Sequence, residues 1–366
     1  MEMALREGYT TGTCAAIASR AAARMIFEKR RVSFESIETP SGRVISVDIL
    51  EGSFDGEKAK CAVRKDAGDD PDVTDKMLVF SEVRLREEKG ISIDGGEGVG
   101  RVTKPGLSQK VGEAAINRVP REMIEKSVSA VFREQGYEGG ADIVISVPGG
   151  REIAGKTFNP RLGIEGGISI LGSSGIVKPM SEDAVIETVR AEISIKKAEG
   201  EERLILTPGN YGRDFIKEYL HYDLRSAVLC SNHISAALDA AVEYGFKDIL
   251  LIGAAGKLIK LAGGIMNTHS RNADCRMEII AANAAFFTEE TGILRELQSE
   301  ITTEGAFERL EKAGILKKVM KRIGDRALQN LRHRIGEESA VTAGLIIFSN
   351  ERGILYEDKP YRSGTR

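Results

Sequence analysis

The chain is poor in aromatic residues. Its 366 residues include no tryptophan, and aromatic residues make up only 5% of the total. This scarcity argues against a surface that binds nucleic acid by stacking bases on aromatic rings. No apolar run approaches the roughly 18 residues that a transmembrane helix needs. The first seven residues lack the basic and apolar regions of a signal peptide, so we expect a cytoplasmic protein.

Paired cysteines and excess basic charge are also absent. Cys14, Cys61, Cys230 and Cys275 lie far apart and form no Cys-x-x-Cys pair, which predicts reduced thiols and no structural zinc site. The net charge of −3 leaves no basic footprint for general nucleic-acid binding, although local positive sites for an acidic small molecule are compatible with it. Hydrophobic residues at 42% and charged residues at 29% indicate an ordinary globular protein with room for two domains.

Residues 1–140 predict an α+β domain. An alanine-rich helix follows Thr13, which we expect to be its N-cap, and a second helix is expected at about 121–135. Short apolar runs between the two helices predict strands. These runs are 44–50, 61–64, 77–85 and 91–93.

Residues 141–366 predict a Rossmann-like α/β domain with a mostly parallel sheet. Apolar runs at 204–206, 227–229 and 249–252 recur every twenty-odd residues, and each leads into a polar or glycine-containing loop. Ligands of such sheets bind beyond the carboxyl ends of the strands. The other expected elements are apolar runs at 143–147 and 168–171, helical segments near 272–287, 306–322 and 326–334, and a closing strand at 342–348 that could join either domain.

The start of the first helix is a candidate anion site. Glycines and threonines in residues 8–13 precede the alanine-rich segment. The first N–H groups of a helix are unpaired and carry partial positive charge, so Thr10, Thr11 and Thr13 could bind an anionic group of a substrate. The alternative is an ordinary capped helix.

An acidic segment at 65–75 is a candidate catalytic loop, because it places five carboxylates in one turn. Such carboxylates repel one another without a cation, so they could bind Mg²⁺, position a sulfonium or act as a base. Asp66, Asp69 and Asp70 are the candidate bases here, and His269 is a further candidate elsewhere in the chain. A solvated turn is the alternative.

Several glycine-rich loops carry groups that suit a ligand with several acidic arms. Arg101 and Lys104 follow a glycine run, and Asn159 and Arg161 flank a proline. Glycine turns with surface cations are the alternative for any one loop. Lys257, Lys260, Thr268 and Ser270 extend this candidate substrate-binding set near the later strands.

Two loops that follow strands are candidates for a cofactor. The segment 253–260 is not a Gly-x-Gly-x-x-Gly dinucleotide motif, and its interest comes from following a strand. Segment 208–212 follows an earlier strand in the same way. The candidate cofactor-binding residues are Gly209, Asn210, Tyr211, Gly253 and Gly256.

Taken together, these segments resemble the cobalt-precorrin-5B (C1)-methyltransferase family, CbiD, of anaerobic cobalamin biosynthesis. The resemblance extends from about residue 8 to 278. It rests on GYTTGTCAA, KDAGDDPDVT, GVGRVTKPGL, AINRVPREMI, TFNPRLGIEGGISILGSSGIVKPMSE, TPGNYG and GKLIKLAGGIMNTHS. It implies methyl transfer from S-adenosylmethionine to C-1 of a cobalt-containing tetrapyrrole, giving cobalt-precorrin-6A. The implied partners are the small-molecule tetrapyrrole and neighbouring pathway enzymes, with self-association left open and no nucleic acid or membrane.

The sequence of this chain departs from the family pattern at one position. The family pattern Gly-His-x-Gly-Lys has a histidine where this chain has Ala254. Either that histidine is not required, or another residue replaces it, and His269 is the nearest substitute in sequence.

A sulfonium donor and a carboxylate-rich macrocycle need different surroundings. A lysine 4 Å from the sulfonium would oppose binding by about 4 kcal/mol at an effective dielectric of 20. We therefore expect Arg101, Lys104, Arg161 and Lys257 to bind macrocycle carboxylates, and the donor to bind the neutral loop 208–212.

Two other classes compete with this interpretation. A Mg²⁺-dependent kinase that uses a nucleotide would account for the glycine run at 95–100 and the acidic segment, but the chain lacks Gly-x-x-x-x-Gly-Lys-[Ser/Thr]. A non-catalytic corrinoid carrier would bind the macrocycle without methyl transfer.

Overall fold

In the computed structural model, the chain forms two compact units that divide between Glu182 and Asp183. The structure describes residues 5–209, 215, 227–336 and 339–359. Within these ranges, no helix combines the length and the apolar character that crossing a membrane would require.

The first unit contains both α and β elements. Its strands are β1 (Gly8–Tyr9), β2 (Phe34–Glu38), β3 (Val44–Asp48), β4 (Leu50–Asp55), β5 (Lys58–Arg64), β6 (Leu78–Arg86), β7 (Gly90–Gly95), β8 (Arg101–Val102), β9 (Gly140–Ser146), β10 (Ile164–Glu165) and β11 (Ile176–Val177). Its helices are α1 (Thr11–Glu28), α2 (Arg118–Gln135) and α3 (Gly150–Ala154).

A five-stranded sheet and two helices form the core of this unit. The spatial order is β4-β5-β6-β9-β7, and all neighbours are antiparallel except β7 and β9. The alanine-rich helix α1 packs on β5, β6 and α2. Its small side chains let the helix approach the sheet closely enough for the buried Ser19 and Ser81 hydroxyls to lie 2.8 Å apart.

Three expectations for this half of the chain need correction. Thr10, not Thr13, is the N-cap of α1, because the Thr10 side chain accepts the Thr13 N–H. The run expected at 143–147 is β9, which lies between β6 and β7 of the first sheet, so residues 141–182 group with the first unit and not with the second. The run at 168–171 forms only isolated bridges, from Ile168 to Val99 and from Ile170 to Ile116.

The second unit is an α/β unit. Its strands are β12 (Arg203–Thr207), β13 (Ala227–Leu229), β14 (Asp248–Ala254), β15 (Thr342–Ser349) and β16 (Gly353–Asp358). Its helices are α4 (Glu182–Ala198), which begins at the division between the units, α5 (Ile234–Glu243), α6 (Ala255–Leu258), α7 (Arg276–Ala284), α8 (Thr291–Ser299), α9 (Thr303–Lys312) and α10 (Leu316–Ile335), with a 3-10 helix at Ile259–Gly263.

The mostly parallel sheet expected for this half is confirmed. Its order is β13-β12-β14-β15-β16, and only the β15–β16 pair is antiparallel. The closing strand pairs with β14 and so belongs to this unit.

The helices of the second unit differ from the prediction in three places. The helix expected at 306–322 is divided into α9, which ends at Lys312, and α10, which begins at Leu316. Helix α8 is not among the predicted helices. It buries only Leu297, so the sequence lacks the repeated apolar positions that would predict it. Helix α10 is continuous across the break expected near Gly324. A Cβ at Gly324 would lie 2.1 Å from Cδ2 of Tyr356, so glycine here makes room for a packed ring and does not end the helix.

Candidate functional site

The start of helix α1 is occupied by the chain itself. The Gly12 N–H donates to the Leu171 carbonyl at 3.0 Å, and the Thr13 hydroxyl donates to the Gly175 carbonyl at 2.7 Å. The Thr11 hydroxyl accepts the Leu171 N–H at 2.9 Å. Thr10, Thr11 and Thr13 are all buried. These contacts favour the capped helix over the anion site.

Two carboxylates of the acidic segment are hydrogen-bonded to cations, and a third, Asp75, lies 3.9 Å from Nζ of Lys76. Arg6 donates two hydrogen bonds to Asp66, at 2.6 and 2.8 Å. Lys65, which is only 2% exposed, donates to Asp72 at 2.6 Å, and Thr74 donates to the same carboxylate through its N–H and its hydroxyl. The repulsion expected within this segment is therefore relieved by two cations of the chain.

The other three carboxylates accept backbone N–H groups. Asp69 accepts the Arg6 N–H at 2.6 Å, Asp70 accepts the Met180 N–H at 2.8 Å, and Asp75 accepts the Ala67 N–H at 2.9 Å. All five carboxylates of the segment thus hold local backbone or a cation in place.

The electrostatics of this segment disfavour a base at Asp66. The hydrogen bonds from Arg6 are the main cause that holds the pKa of Asp66 below its usual value. Burial alone would raise the pKa of Asp72, but the charge of Lys65 and the hydrogen bonds outweigh it and lower that pKa. A lowered pKa means a weaker base. In the part of the chain that the structure describes, no three His, Cys, Asp or Glu side chains are grouped to hold a metal ion.

The candidate cationic loops of the first unit also have internal contacts. Arg101 forms two hydrogen bonds to Asp94, at 2.7 and 2.9 Å. Asn159 is buried, where it donates to the Gly167 carbonyl and accepts the Ser169 hydroxyl. These contacts give both residues structural roles.

Lys104 follows β8 and Arg161 precedes β10, and these two strands are paired. The Lys104 side chain covers Gly163, and the Arg161 guanidinium lies 5.8 Å from the centre of the Phe158 ring. Arg161 is exposed, so it stays a candidate for a ligand carboxylate.

Loops that follow three parallel strands meet in the second unit, at the carboxyl edge of its sheet. Lys257, after β14, donates from Nζ to the Pro208 carbonyl at 2.5 Å and to Oδ1 of Asn232 at 2.9 Å. Pro208 follows β12, and Asn232 follows β13. The Thr268 hydroxyl donates to the same Asn232 oxygen at 3.2 Å. This arrangement, hereafter the sheet-edge cluster, comprises Pro208, Gly209, Asn232, Gly256, Lys257, Lys260, Thr268 and Arg276.

Both lysines of the sheet-edge cluster have neutral oxygens as their hydrogen-bond acceptors. Lys260 is 3% exposed and donates to the carbonyls of Thr268 and Ala273, and among the described residues the one carboxylate in range is that of Asp274, at 4.0 Å. Lys257 has no carboxylate partner within the described ranges. Burial is the main cause that lowers the pKa of each lysine.

The glycines of this edge differ in their surroundings. A Cβ at Gly253 would touch Pro208 and Leu258 at 3.0 Å, so Gly253 serves packing. A Cβ at Gly209 would have Lys257 Nζ, at 3.8 Å, as its nearest neighbour. At Gly256 the nearest atoms are the Thr303 hydroxyl at 3.8 Å and Arg276 Nη1 at 3.9 Å. Within the described ranges, Gly209 therefore leaves room beside Lys257, and Gly256 leaves room beside Arg276.

Two residues of this cluster had not been expected from the sequence. Asn232 accepts from both Lys257 and Thr268, and Arg276 holds Asp274 through Nε and Nη2 while its Nη1 lies near Gly256. Asn232 could have been found from its position directly after a strand. Arg276 has no such signal.

His269 and Ser270 are exposed beside this cluster. The Nδ1 atom of His269 accepts the Arg271 N–H at 3.0 Å. In neutral imidazole this places the proton on Nε2, so Nε2 is a donor and not the acceptor that a base needs. Ala254 is the last residue of β14 and the N-cap of α6, which places the departure from the family pattern at the same sheet edge.

The expected separation of Lys257 from the donor loop does not hold. Lys257 contacts Pro208, the first residue of that loop, and lies next to Gly209. Asn210 and Tyr211, the other candidates of the loop, lie outside the described residues. Cys230, the first residue after β13, is fully buried, and desolvation raises the pKa of its thiol to about 12, which does not suit a metal ligand.

Comparison with known proteins gives consistent matches. The CbiD family model matches residues 1–179, and a model described as the CbiD C-terminal domain matches residues 267–359. A curated protein from Ruminiclostridium cellulolyticum, named cobalt-precorrin-5B C(1)-methyltransferase, is 51% identical over 82% of this chain and 78% of its own length. A protein of the same name from Thermoanaerobacter is 45% identical over 96% of this chain and 94% of its own length.

One solved structure is also similar in sequence. It is the crystal structure of the cobalamin biosynthesis protein (cbiD) from Archaeoglobus fulgidus, 30% identical, with a TM-score of 0.39 over 73% of this chain and 83% of that chain.

Proposed function

This chain belongs to the CbiD family, and on that premise we propose that it transfers a methyl group from S-adenosylmethionine to C-1 of cobalt-precorrin-5B, giving cobalt-precorrin-6A. The observation that carries the proposal is the shared name of relatives that are 42–51% identical over most of this chain. Cobalt enters as part of the substrate.

The sheet-edge cluster supplies groups that suit the donor. We place the amino-acid carboxylate of the donor at Lys257, whose hydrogen-bond acceptors are neutral oxygens. Among the described residues, Gly209 leaves space beside it, and Gly256 leaves space beside Arg276. The sulfonium must then face away from the lysine, since like charges 4 Å apart repel by about 4 kcal/mol at an effective dielectric of 20. This replaces the expectation that Lys257 binds the macrocycle.

The reaction is an in-line displacement in which a carbon–carbon bond forms at C-1 while the carbon–sulfur bond breaks. The sulfur leaves as neutral thioether with the electron pair of the broken bond. The chain's contribution is to align the two substrates and to exclude water. Any proton leaving the macrocycle needs an acceptor, for which Asp69, Asp70 and His269 remain proposals.

Two features in the structure bear on the choice of base. Asp69 and Asp70 each accept a backbone N–H, and His269 must release the Arg271 N–H before Nδ1 can take a proton. If one of these residues is the base, its replacement by Asn or Gln should lower the single-turnover rate of methyl transfer, while substrate binding is retained.

The test is incubation of the full chain with cobalt-precorrin-5B and donor labelled in its methyl group. We expect label in the macrocycle, with one S-adenosylhomocysteine formed for each methyl transferred. Macrocycle binding without transfer would instead support a carrier. Turnover of ATP with Mg²⁺ and no binding of S-adenosylhomocysteine would support a kinase.

A further inference from the structure

A basic groove lies along α10, outside the sheet-edge cluster. A cavity of about 520 Å³ is lined by Lys318, Lys321, Arg322, Arg326, Asp325 and Phe287, among others. The charged part of this lining is four cations and one carboxylate. A second cavity of about 380 Å³ shares Asp325 and Gln329 with the first, so the groove continues toward Arg332. This concentration of positive charge stands out in a chain whose net charge is −3.

Three of these cations form a row along α10. Lys318, Arg322 and Arg326 are spaced by four residues, so they follow one another about 6 Å apart along one side of the helix. None of the three forms an ion pair with a carboxylate in the described part of the chain. The single carboxylate, Asp325, is already bound by Lys321 at 2.8 Å and by the Tyr356 hydroxyl at 3.1 Å.

This arrangement is unfavourable for the helix by itself. Like charges four residues apart on a helix repel, and the first turn of α10 contains lysines but no acidic residue. The start of a helix carries partial positive charge, which opposes cations at that end. A bound anion would relieve both effects, because it would face the row of cations and the positive end of the helix together.

The end of the groove near α7 adds an aromatic surface. Phe286 is 65% exposed, and the Arg322 guanidinium lies 3.5 Å from the centre of its ring. This stacking fixes the orientation of the guanidinium. Its Nε atom is shielded from solvent and has no hydrogen-bond acceptor in the described part of the chain. Phe287, 38% exposed, lines the cavity beside it.

From this row, its lack of acidic partners and the cavity above it, we infer that the α10 groove binds a small polyanion that carries adjacent phosphate or carboxylate groups. The groove lies in the C-terminal part of the chain, on residues that the proposed methyl transfer does not use. Phosphates and carboxylates both accept from guanidinium forks and lysine ammonium groups, so the shared chemistry is a cluster of anionic oxygens.

The test is isothermal titration of the full chain with two probes, tripolyphosphate and benzenehexacarboxylate. We expect at least one probe to bind with a 1:1 stoichiometry, and the tighter probe identifies phosphate or carboxylate as the preferred group. The double variant Lys318→Gln/Arg326→Gln should weaken that binding at least tenfold. The matched control Lys312→Gln/Lys317→Gln removes two exposed lysines that do not line the cavity, and it should change binding less than twofold.

A gain of affinity provides a second readout. Asp325→Asn removes the one carboxylate among the described residues that line the groove, and it keeps a hydrogen-bonding side chain for Tyr356, so binding should tighten about threefold. If neither probe binds, or if the control weakens binding as much as the groove variant, the inference is wrong. Methyl transfer is measured separately on the same variants, and we expect it to be unchanged, so failure of the groove and failure of the proposed activity give different results.

Discussion

The acidic segment of the first unit and the sheet-edge cluster of the second unit both concentrate charge, but they treat it in opposite ways. In the acidic segment every carboxylate is bound by a cation or a backbone N–H of the chain. In the sheet-edge cluster, Arg276 is paired with Asp274, but Lys257 is half-buried and has only neutral acceptors among the residues that the structure describes. Charge that is neutralised internally builds a scaffold, whereas desolvated charge without a counter-ion suits a ligand of opposite sign.

The largest effect is expected from Asp72→Asn. This change leaves Lys65, only 2% exposed, without its carboxylate, and removing one partner of a buried pair costs about 3–5 kcal/mol of unfolding free energy. Urea unfolding of the first unit at neutral pH measures it. The control Asp69→Asn, at an exposed residue, should cost about 1 kcal/mol. Equal losses of unfolding free energy in Asp72→Asn and Asp69→Asn would contradict the view that the buried Lys65–Asp72 pair stabilises the segment most.

The same pair also gives the stability a defined pH dependence. The pKa of Asp72 is lower in the folded than in the unfolded chain, so its stabilisation is fully present above about pH 4 and is lost as the pH falls through the folded value. The advantage of the wild type over Asp72→Asn should therefore shrink on acidification.

The next largest effect is expected at the sheet edge. Lys257→Met should weaken the binding of S-adenosylhomocysteine about 10- to 100-fold, because a charge-assisted hydrogen bond contributes about 1.5–3 kcal/mol. The matched control is Lys247→Met, since Lys247 precedes β14 and is exposed beside Glu202. It should change the affinity less than twofold. If Lys257→Met weakened only the binding of the macrocycle, the lysine would bind that substrate and not the donor.

A smaller effect should follow from pH. Burial lowers the pKa of Lys257 below 10.5, and only the charged ammonium attracts a carboxylate. The affinity ratio of wild type to Lys257→Met for S-adenosylhomocysteine should therefore decline as the pH rises through this lowered pKa, before pH 10.5 is reached. A constant ratio up to pH 10.5 would show that the charge of Lys257 is not used.

The smallest effect is expected for Arg101→Ala. Because Arg101 forms a two-point contact with Asp94, we expect the affinities for both macrocycle and donor to stay within about threefold of the wild type. Equilibrium titration measures both. A tenfold loss of macrocycle affinity would restore Arg101 as a substrate-binding residue.

Most of the fold follows from local patterns in the sequence. The parallel strands of the second unit were predicted because each is a short apolar run followed by a polar loop. The position of β9 was not, because an apolar run does not reveal which strands will flank it. Gly324 shows the same limit, since only the packed Tyr356 ring explains a glycine within a continuous helix.

The candidate site was predicted less completely than the fold. Residue type and position after a strand identified Lys257 and Gly256, and the same rule could have identified Asn232. The partners of Asp66, Arg101 and Asn159 could not be seen, because Arg6, Asp94 and Gly167 reach them only through tertiary structure. Sequence shows which residues carry charge, but not which charges the fold neutralises.

The most direct test of this contrast is the dissociation constant of S-adenosylhomocysteine for Lys257→Met and Asp70→Asn, measured side by side with the wild type. We predict at least a tenfold increase for Lys257→Met and a change of less than twofold for Asp70→Asn. An increase confined to Asp70→Asn would contradict the account, because the acidic segment would then bind the donor and the sheet edge would not.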